Sequence, residues 1–197
     1  MAIDAYMTFV PYSLPQLSSE SQVDMSQNTE LLATQGPAPL ATAAKNGQLF
    51  EIEDYSFDVE QTLNIGSQST GAGAGKITFN PFSITRKIDK QSPLFFSMAC
   101  SGTAFKFVSL GLRKSSGGMT SGQIFLRFDF KLVAVKTISW AHDDEAPKET
   151  ITFEYGGLWV SYNQQDQSGV MSTYTPVQKG WNRLKNILDT SVDTPYT

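Results

Sequence analysis

Hydrophobic and polar residues alternate along much of the chain, a pattern typical of β-strands with one buried face. The first strand is predicted at the N-terminus and ends at Pro11. The clearest strand is Gln123–Ala134, whose apolar positions should face the core. Its other face is predicted to present charges of alternating sign to water or to a partner, from Arg127, Asp129 and Lys131. Further strands are predicted at Thr137–Ala141, Thr150–Tyr162 and Met171–Gln178.

The alternation shifts by one residue at three points within otherwise regular apolar segments. These points are Glu53-Asp54, Asn80-Pro81 and Gly156-Gly157. A one-residue shift is typical of a β-bulge, which bends a sheet. The pattern therefore predicts a mainly β fold, a two-sheet barrel or sandwich, rather than a flat sheet.

One segment interrupts the strands with well-defined helix signals. Ser92 is a candidate N-cap, and Pro93 fits the first helical position. Gly102 can end the last turn in the left-handed region. Between them, apolar residues recur one turn apart and form a broad apolar face. The sequence predicts one short α-helix over about residues 92–101, which lies on the β structure because so short a helix is unstable alone.

The segment after the helix is apolar on both sides. Phe105 and Phe107 are predicted on one face, and the apolar residues from Val108 to Leu112 on the other. A monomer seldom exposes a large apolar patch, so a neighbouring subunit is expected to cover the face that the helix leaves open. The candidate inter-subunit strand face is made of Phe105, Phe107, Arg127, Asp129 and Lys131.

The chain has 197 residues and no convincing linker, so a single domain over residues 1–197 is predicted. Residues 12–46 are rich in Ser, Gln, Thr, Ala and Pro, and should form a long surface excursion with a short helical turn at Thr29–Thr34. Residues 179–182 are predicted to turn the chain into a short C-terminal tail at 183–197.

Charge and cysteine content exclude several classes of protein. The net charge is −4 and the 15 basic residues are scattered, which gives no electrostatic footprint for nucleic acid or an anionic membrane. No apolar run is long enough for a membrane span, and the first residues lack the basic and apolar regions of a cleaved signal peptide. The single cysteine, Cys100, cannot form an internal disulfide.

Three groups of residues suggest chemistry, and each has a simpler structural interpretation. The glycine-rich segment 71–76 lacks the helix start of a phosphate-binding loop. His142 and three adjacent acids lie on one segment, so they cannot surround a metal ion. Cys100 lies on the packing helix, and one histidine would have to serve every base role. No catalytic residue, metal site or cofactor is therefore predicted. A glycan platform built from Trp140, Trp159 and Trp181 stays open as an alternative, although tryptophans in strands are more often core.

Six segments are spread over residues 48–189, in the order EIEDYSFDVEQ, GKITF, SITRKIDKQSPLFFSMACSG, LGLRKSSG, ETITFEYGGLWVSYNQQ and KGWNRLKN. Together they resemble the haemolysin-coregulated protein (Hcp) family, the tube protein of type VI secretion systems. Singly they are modest, but their order and spacing cover most of the chain. The link at 12–46 is longer than the family's usual one.

The resemblance implies a structural protein without a cofactor. Such proteins are two-sheet β-barrels with a flanking helix that form hexameric rings, which stack into a hollow tube. The implied partners are further copies, the spike and sheath proteins of the machine, and effectors in the lumen. It implies synthesis in the cytoplasm and export by type VI secretion without a cleaved signal peptide. No toxin domain is expected after the barrel.

The resemblance also assigns the loop that should reach the next ring. Its candidate residues are Thr62, Leu63, Asn64, Ile65, Gly66, Gly71, Gly73 and Gly75. The alternative from another class of protein is a monomeric β-sandwich binding module, for example for glycans.

Overall fold

The computed structural model describes residues 3–13, 16–26, 40–62, 77–114, 122–142, 146–164 and 177–188. Within these residues the chain is mainly β, as predicted. The elements are β1 (Ile3–Pro11), α1 (Leu40–Lys45), β2 (Phe50–Ile52), β3 (Asp54–Ser56), β4 (Val59–Gln61), β5 (Ile77–Phe79), β6 (Phe82–Lys87), α2 (Ser92–Ser101), β7 (Ala104–Lys114), β8 (Ile124–His142), β9 (Pro147–Tyr162), β10 (Val177–Asn182) and β11 (Ile187–Leu188).

One large antiparallel sheet folds over to make two layers. The first layer has the strand order β11-β10-β9-β8-β7-β1-β2. The second layer consists of β3 and β6 together with the end of β8 from Val135 onward and the start of β9 up to Phe153. Within the described ranges, strands β4 and β5 pair only with each other, as a separate two-stranded ribbon. The predicted two-sheet architecture is confirmed.

The long hairpin of β8 and β9 bends where it passes from one layer to the other. Leu132 adopts a positive φ of 50° opposite Gly156, and the register shifts between Val135 and Thr137. The β-bulge predicted at Gly156-Gly157 is wrong, because Gly157 and Tyr155 keep one register with Lys131 and Val133, and the bend is made by β8 instead. On the far side, β2 pairs with β1 and β3 pairs with β6, with a break at Glu53. This break keeps the hydrogen-bonded ladder from closing into a barrel.

Aromatic side chains fill the space between the layers. Phe82 stacks on Phe130 and Phe153, with ring centroids 4.1 and 4.7 Å apart. Helix α2 covers the remaining opening with Phe95 and Met98, which are buried in the same core. Because such rings bury large areas and prefer edge or offset contacts, this cluster is the main source of hydrophobic stability.

Helix α2 has the predicted span, but its first turn differs by one residue. Gln91 is the N-cap and makes no side-chain capping bond, while Ser92 is already helical. The Ser92 hydroxyl instead accepts a hydrogen bond from the Asp89 N–H and donates one to Glu149. Gly102 ends the helix with a φ of 68°, as predicted.

The segment between β1 and β2 corrects the expectation of a surface excursion. Its residues make a second buried cluster on the outer face of the first layer, where Met25, Leu40 and Leu49 pack with Tyr6 and Ile124. The short helix α1 was not predicted. Its first residue, Leu40, fits against β7 because residue 111 is glycine, and a side chain at that position would collide with Leu40. The helical turn predicted at 29–34 lies outside the described residues.

Other boundaries also differ from the prediction. Residues 137–141 are not a separate strand but the continuation of β8. Residues 179–182 belong to β10, so the predicted turn there is wrong, and the chain turns at Arg183 instead. Of the final strand predicted at 171–178, positions 171–176 lie outside the described part of the chain.

Candidate assembly surfaces

The residues considered for catalysis or metal binding lie apart on the surface. His142 is exposed at the end of β8, and Cys100 is exposed on α2. The acids after His142 lie outside the described residues. Among the residues that the structure describes, no group of three or more His, Cys, Asp or Glu side chains could hold a metal ion.

The proposed ring-stacking loop begins and ends on the β4–β5 ribbon. Gln61 pairs with Ile77, so the ribbon holds the two ends of the loop side by side. Thr62 is exposed, and the other seven candidate residues of the loop lie outside the described part of the chain. A strand begins directly after Lys76, which agrees with the interpretation of the glycine-rich segment as an inter-strand loop.

The base of this ribbon is anchored to the core by an arginine. The Arg183 guanidinium lies 4.9 Å from the ring centroid of Tyr155 and 5.5 Å from that of Phe79, which belongs to β5. Burial raises the pKa of the Tyr155 hydroxyl to about 12, although the positive charge of Arg183 opposes the shift. Tyr155 is thus neutral at physiological pH, and Arg183 joins the ribbon to β9 through the Phe79 and Tyr155 rings.

Two strand edges of the second layer remain unpaired in the described residues. Strand β3 pairs only with β6, and β8 pairs only with β9 beyond Ala134. The edge at β3 carries the exposed acid Asp54, whereas the edge at β8 carries Lys136, whose ammonium lies 2.9 Å from Glu154 Oε1. Free edges offer backbone donors and acceptors to another strand. The two edges lie on opposite sides of the same layer and differ in sequence.

The charged face of β8 is the largest correction to the sequence prediction. Arg127, Asp129 and Lys131 are buried within the protomer rather than presented to water. The Arg127 Nε lies 2.9 Å from Asp129 Oδ1, and the Ser109 hydroxyl, which donates to that same oxygen, completes the cluster. Lys131 Nζ lies within 6 Å of two aromatic ring centroids, those of Phe107 (5.8 Å) and Trp159 (5.7 Å).

The two phenylalanines of this candidate face lie on opposite sides of the sheet. Phe105 packs into the main core with Val108, whereas Phe107 packs with Trp159 on the opposite side of the sheet. The register shift of β1 between Val10 and Pro11 coincides with this change of face. Both phenylalanines are buried. A contact between subunits through these five residues stays a prediction, and their side chains have a role inside the protomer that the sequence did not indicate.

A buried ionic cluster explains the stretch SITRKIDKQSP. Arg86 Nε donates to Glu149 Oε1 at 2.8 Å, and its two Nη atoms bind the Asp89 carboxylate at 3.0 and 2.6 Å. The Ser92 hydroxyl donates to the same Glu149 oxygen at 2.9 Å. The indole of Trp140 donates to the other Glu149 oxygen at 3.2 Å. The cluster ties the start of α2 to β6, β8 and β9, and no pattern in the sequence indicated it.

The tryptophans do not form a glycan platform. Trp159 is fully buried, and Trp181 is half-buried against the core. Trp140 is 53% exposed and lies beside Phe96, with ring centroids 6.1 Å apart. Since the alternative required all three side chains at the surface, it loses its structural basis.

Comparison with solved structures defines the class of protein to which this fold belongs. A type six secretion system protein matches 95% of this chain and 100% of its own length, with a TM-score of 0.72 and 20% identity. Hcp1 from the E. coli EAEC 042 pathovar matches 92% of this chain and 99% of its own, with a TM-score of 0.64 and 13% identity. The fold is therefore that of the mainly β proteins of type VI secretion systems.

Sequence comparison then gives the family. Residues 41–162 match the model of the family described as type VI secretion system effector, Hcp. Protein hcp1 of Pseudomonas aeruginosa is 26% identical over 112 residues, which are 57% of this chain and 68% of that protein. The chain belongs to the Hcp family, as its motifs predicted, and is a type VI secretion protein. Neither helix in the described residues has the length and apolar character needed to cross a membrane.

Proposed function

We propose that this chain is the subunit of a type VI secretion inner tube. Six protomers form a ring, and rings stack into a hollow tube that carries effector proteins into target cells. The spike and the sheath of the machine are its other partners, and the machine itself exports it. Its role is structural rather than enzymatic.

The observation that carries this proposal is the pair of free edges on one layer of the protomer. A ring requires a heterologous contact, in which two different surfaces of the same protomer meet in successive copies. The edge at β3 that carries Asp54 and the edge at β8 that carries Lys136 are two such surfaces. Pairing them would extend the second layer from one copy to the next and would remove two edges that otherwise favour aggregation.

We expect the purified protein to form rings of six protomers. Native mass spectrometry should give a mass of six chains, and class averages from negative-stain micrographs should show sixfold symmetry. The reason is that the strand edges and exposed apolar side chains are both satisfied only against other copies. A stable monomer at micromolar concentration would contradict the proposal.

Shortening the loop within residues 67–75 should preserve the rings and impair their stacking. The ribbon that bears the loop pairs only with itself, so the change leaves the large sheet untouched. Sedimentation velocity would measure the distribution of single rings and stacks. As a control, replacing residues 67–75 with a Gly-Ser segment of the same length should retain stacking if only the length of the loop matters. Loss of the rings themselves would show that the loop acts within the ring.

A further inference from the structure

A cleft opens where β2 and β6 diverge. The Glu53 N–H donates to the Thr85 carbonyl at 2.9 Å, and this bond closes the narrow end of the cleft. Beyond it, β2 turns away to pair with β1, while β6 continues beside β9. Strand β2 is the last strand of its layer, and β3 pairs with β6 no further than Thr85. In the described part of the chain, both walls of the cleft therefore present unpaired strand edges.

The cleft has the dimensions of a short strand. Its volume is about 380 Å³, and residues 19–21 of the β1–β2 connection form the third wall. A strand rises about 3.3 Å per residue, neighbouring strands are about 4.8 Å apart and packed layers about 10 Å apart, so three extended residues occupy roughly 500 Å³. The space thus corresponds to a missing strand of about two to three residues between β2 and β6.

The charges around the cleft favour a cationic occupant. Glu20, Glu51 and Glu53 line it and are exposed. Glu20 accepts the Lys90 N–H at 3.3 Å and Glu51 accepts the Ser21 hydroxyl at 2.6 Å. A carboxylate has about four acceptor sites, so both retain capacity for a further donor.

The basic residues beside the cleft cancel these charges only in part. The Arg86 guanidinium is already shared between Glu149 and Asp89, both outside the group of three glutamates. Lys148 lies 3.1 Å from Glu53 and neutralises that carboxylate only. Lys87 also lines the cleft and is exposed, so Glu20 and Glu51 outweigh it by one negative charge.

We propose that this cleft binds an extended peptide segment of a partner polypeptide. About two to three residues pair as a strand with the edges of β2 and β6, and a lysine or arginine of the segment lies beside Glu20 and Glu51. Addition of a strand to a free edge gives affinity through backbone hydrogen bonds, and the side chains at alternate positions give specificity. This site goes beyond the ring and tube proposed above, because it is separate from the edges of β3 and β8.

The test is calorimetric titration of the full chain with three synthetic peptides. The first is acetyl-Thr-Val-Lys-Val-Thr-amide, the second has glutamate in place of lysine, and the third has proline in place of the first valine. We expect the lysine peptide to bind at least about tenfold more tightly than the other two, a difference of 1.4 kcal/mol. The glutamate peptide places like charges together, and proline removes a backbone donor.

Variants of the protein separate the cleft from nonspecific attraction. The double change Glu20→Gln with Glu51→Gln should weaken the lysine peptide by about tenfold, which corresponds to the loss of two attractive charges at a partly exposed site. Asp24→Asn is the matched control, because Asp24 is an exposed acid of the same segment that does not line the cleft. It should leave the affinity unchanged.

Hydrogen exchange locates the bound peptide. Amides of Phe50–Ile52 and of Lys87 should exchange more slowly in the complex, whereas the Ile88 amide already donates to the Pro147 carbonyl and should not change. Protection at other strands, equal affinity for the proline peptide, or no saturable binding would each overturn the proposal. Binding to dissociated protomers that is lost when rings form would assign the cleft to a neighbouring copy, and would overturn the proposal of a separate partner.

Discussion

Replacing Arg86 with alanine is expected to lower the free energy of unfolding by about 3–5 kcal/mol, because it leaves buried carboxylates without their counter-charge. Glu149 is fully buried, and Arg86 supplies its only cationic partner in the described residues. The guanidinium also lies 5.0 Å from the ring of Phe95 and 5.2 Å from that of Phe50, so its removal opens the core beneath α2.

Unfolding by guanidinium chloride measures this effect. The variants should be compared at one protein concentration, because assembly of protomers raises the apparent free energy of unfolding. The matched control is Lys106→Ala, whose exposed ammonium lies 5.5 Å from the ring centroid of Phe107. A cation over an aromatic ring at an exposed site is worth no more than about 1 kcal/mol, so its loss should be small. Equal losses for the two variants would show that the buried cluster does not hold α2 in place.

The Phe130→Ala variant is expected to lose about 3–5 kcal/mol through a different mechanism. Phe130 is fully buried and stacks on Phe82, while the ring of Tyr155 lies 5.0 Å away and that of Phe57 5.5 Å away. Truncation removes these contacts and leaves a cavity that the two layers cannot fill, because both are fixed by hydrogen-bonded strands.

Thermal or denaturant unfolding of Phe130→Ala should be compared with Val177→Ala. Val177 is 67% exposed at the start of β10, so its truncation should change stability by only about 0.5 kcal/mol. A loss for Phe130→Ala below about 1 kcal/mol would mean that the layers move together to close the cavity.

Local signals in the sequence were sufficient for helix α2 and for several strands. The proline and glycine that bracket α2 gave its ends to within one residue, since their backbone preferences act without tertiary context. Phase shifts at Glu53 and at Asn80 marked real breaks between strands. Strand β1 and the first part of β8 followed from alternation alone, because each has one face in the main core.

Burial of charge was what the sequence could not predict. Alternation places Arg127, Asp129 and Lys131 on one face, but it does not say whether another layer covers that face. Residues 16–26 and 40–49 likewise lack periodicity, although Met25 and Leu40 are buried on the first layer. Such residues are buried through contacts between distant parts of the chain, and no local pattern records them. The Hcp resemblance supplied the family, which composition and periodicity could not.

The shared hairpin of β8 and β9 has a mechanical consequence. Each of its strands runs through both layers without interruption, so the layers are joined by covalent backbone as well as by packed side chains. A shearing load on one layer is carried into the other along peptide bonds. The protomer is thus expected to resist shear as one block rather than as two plates that slide.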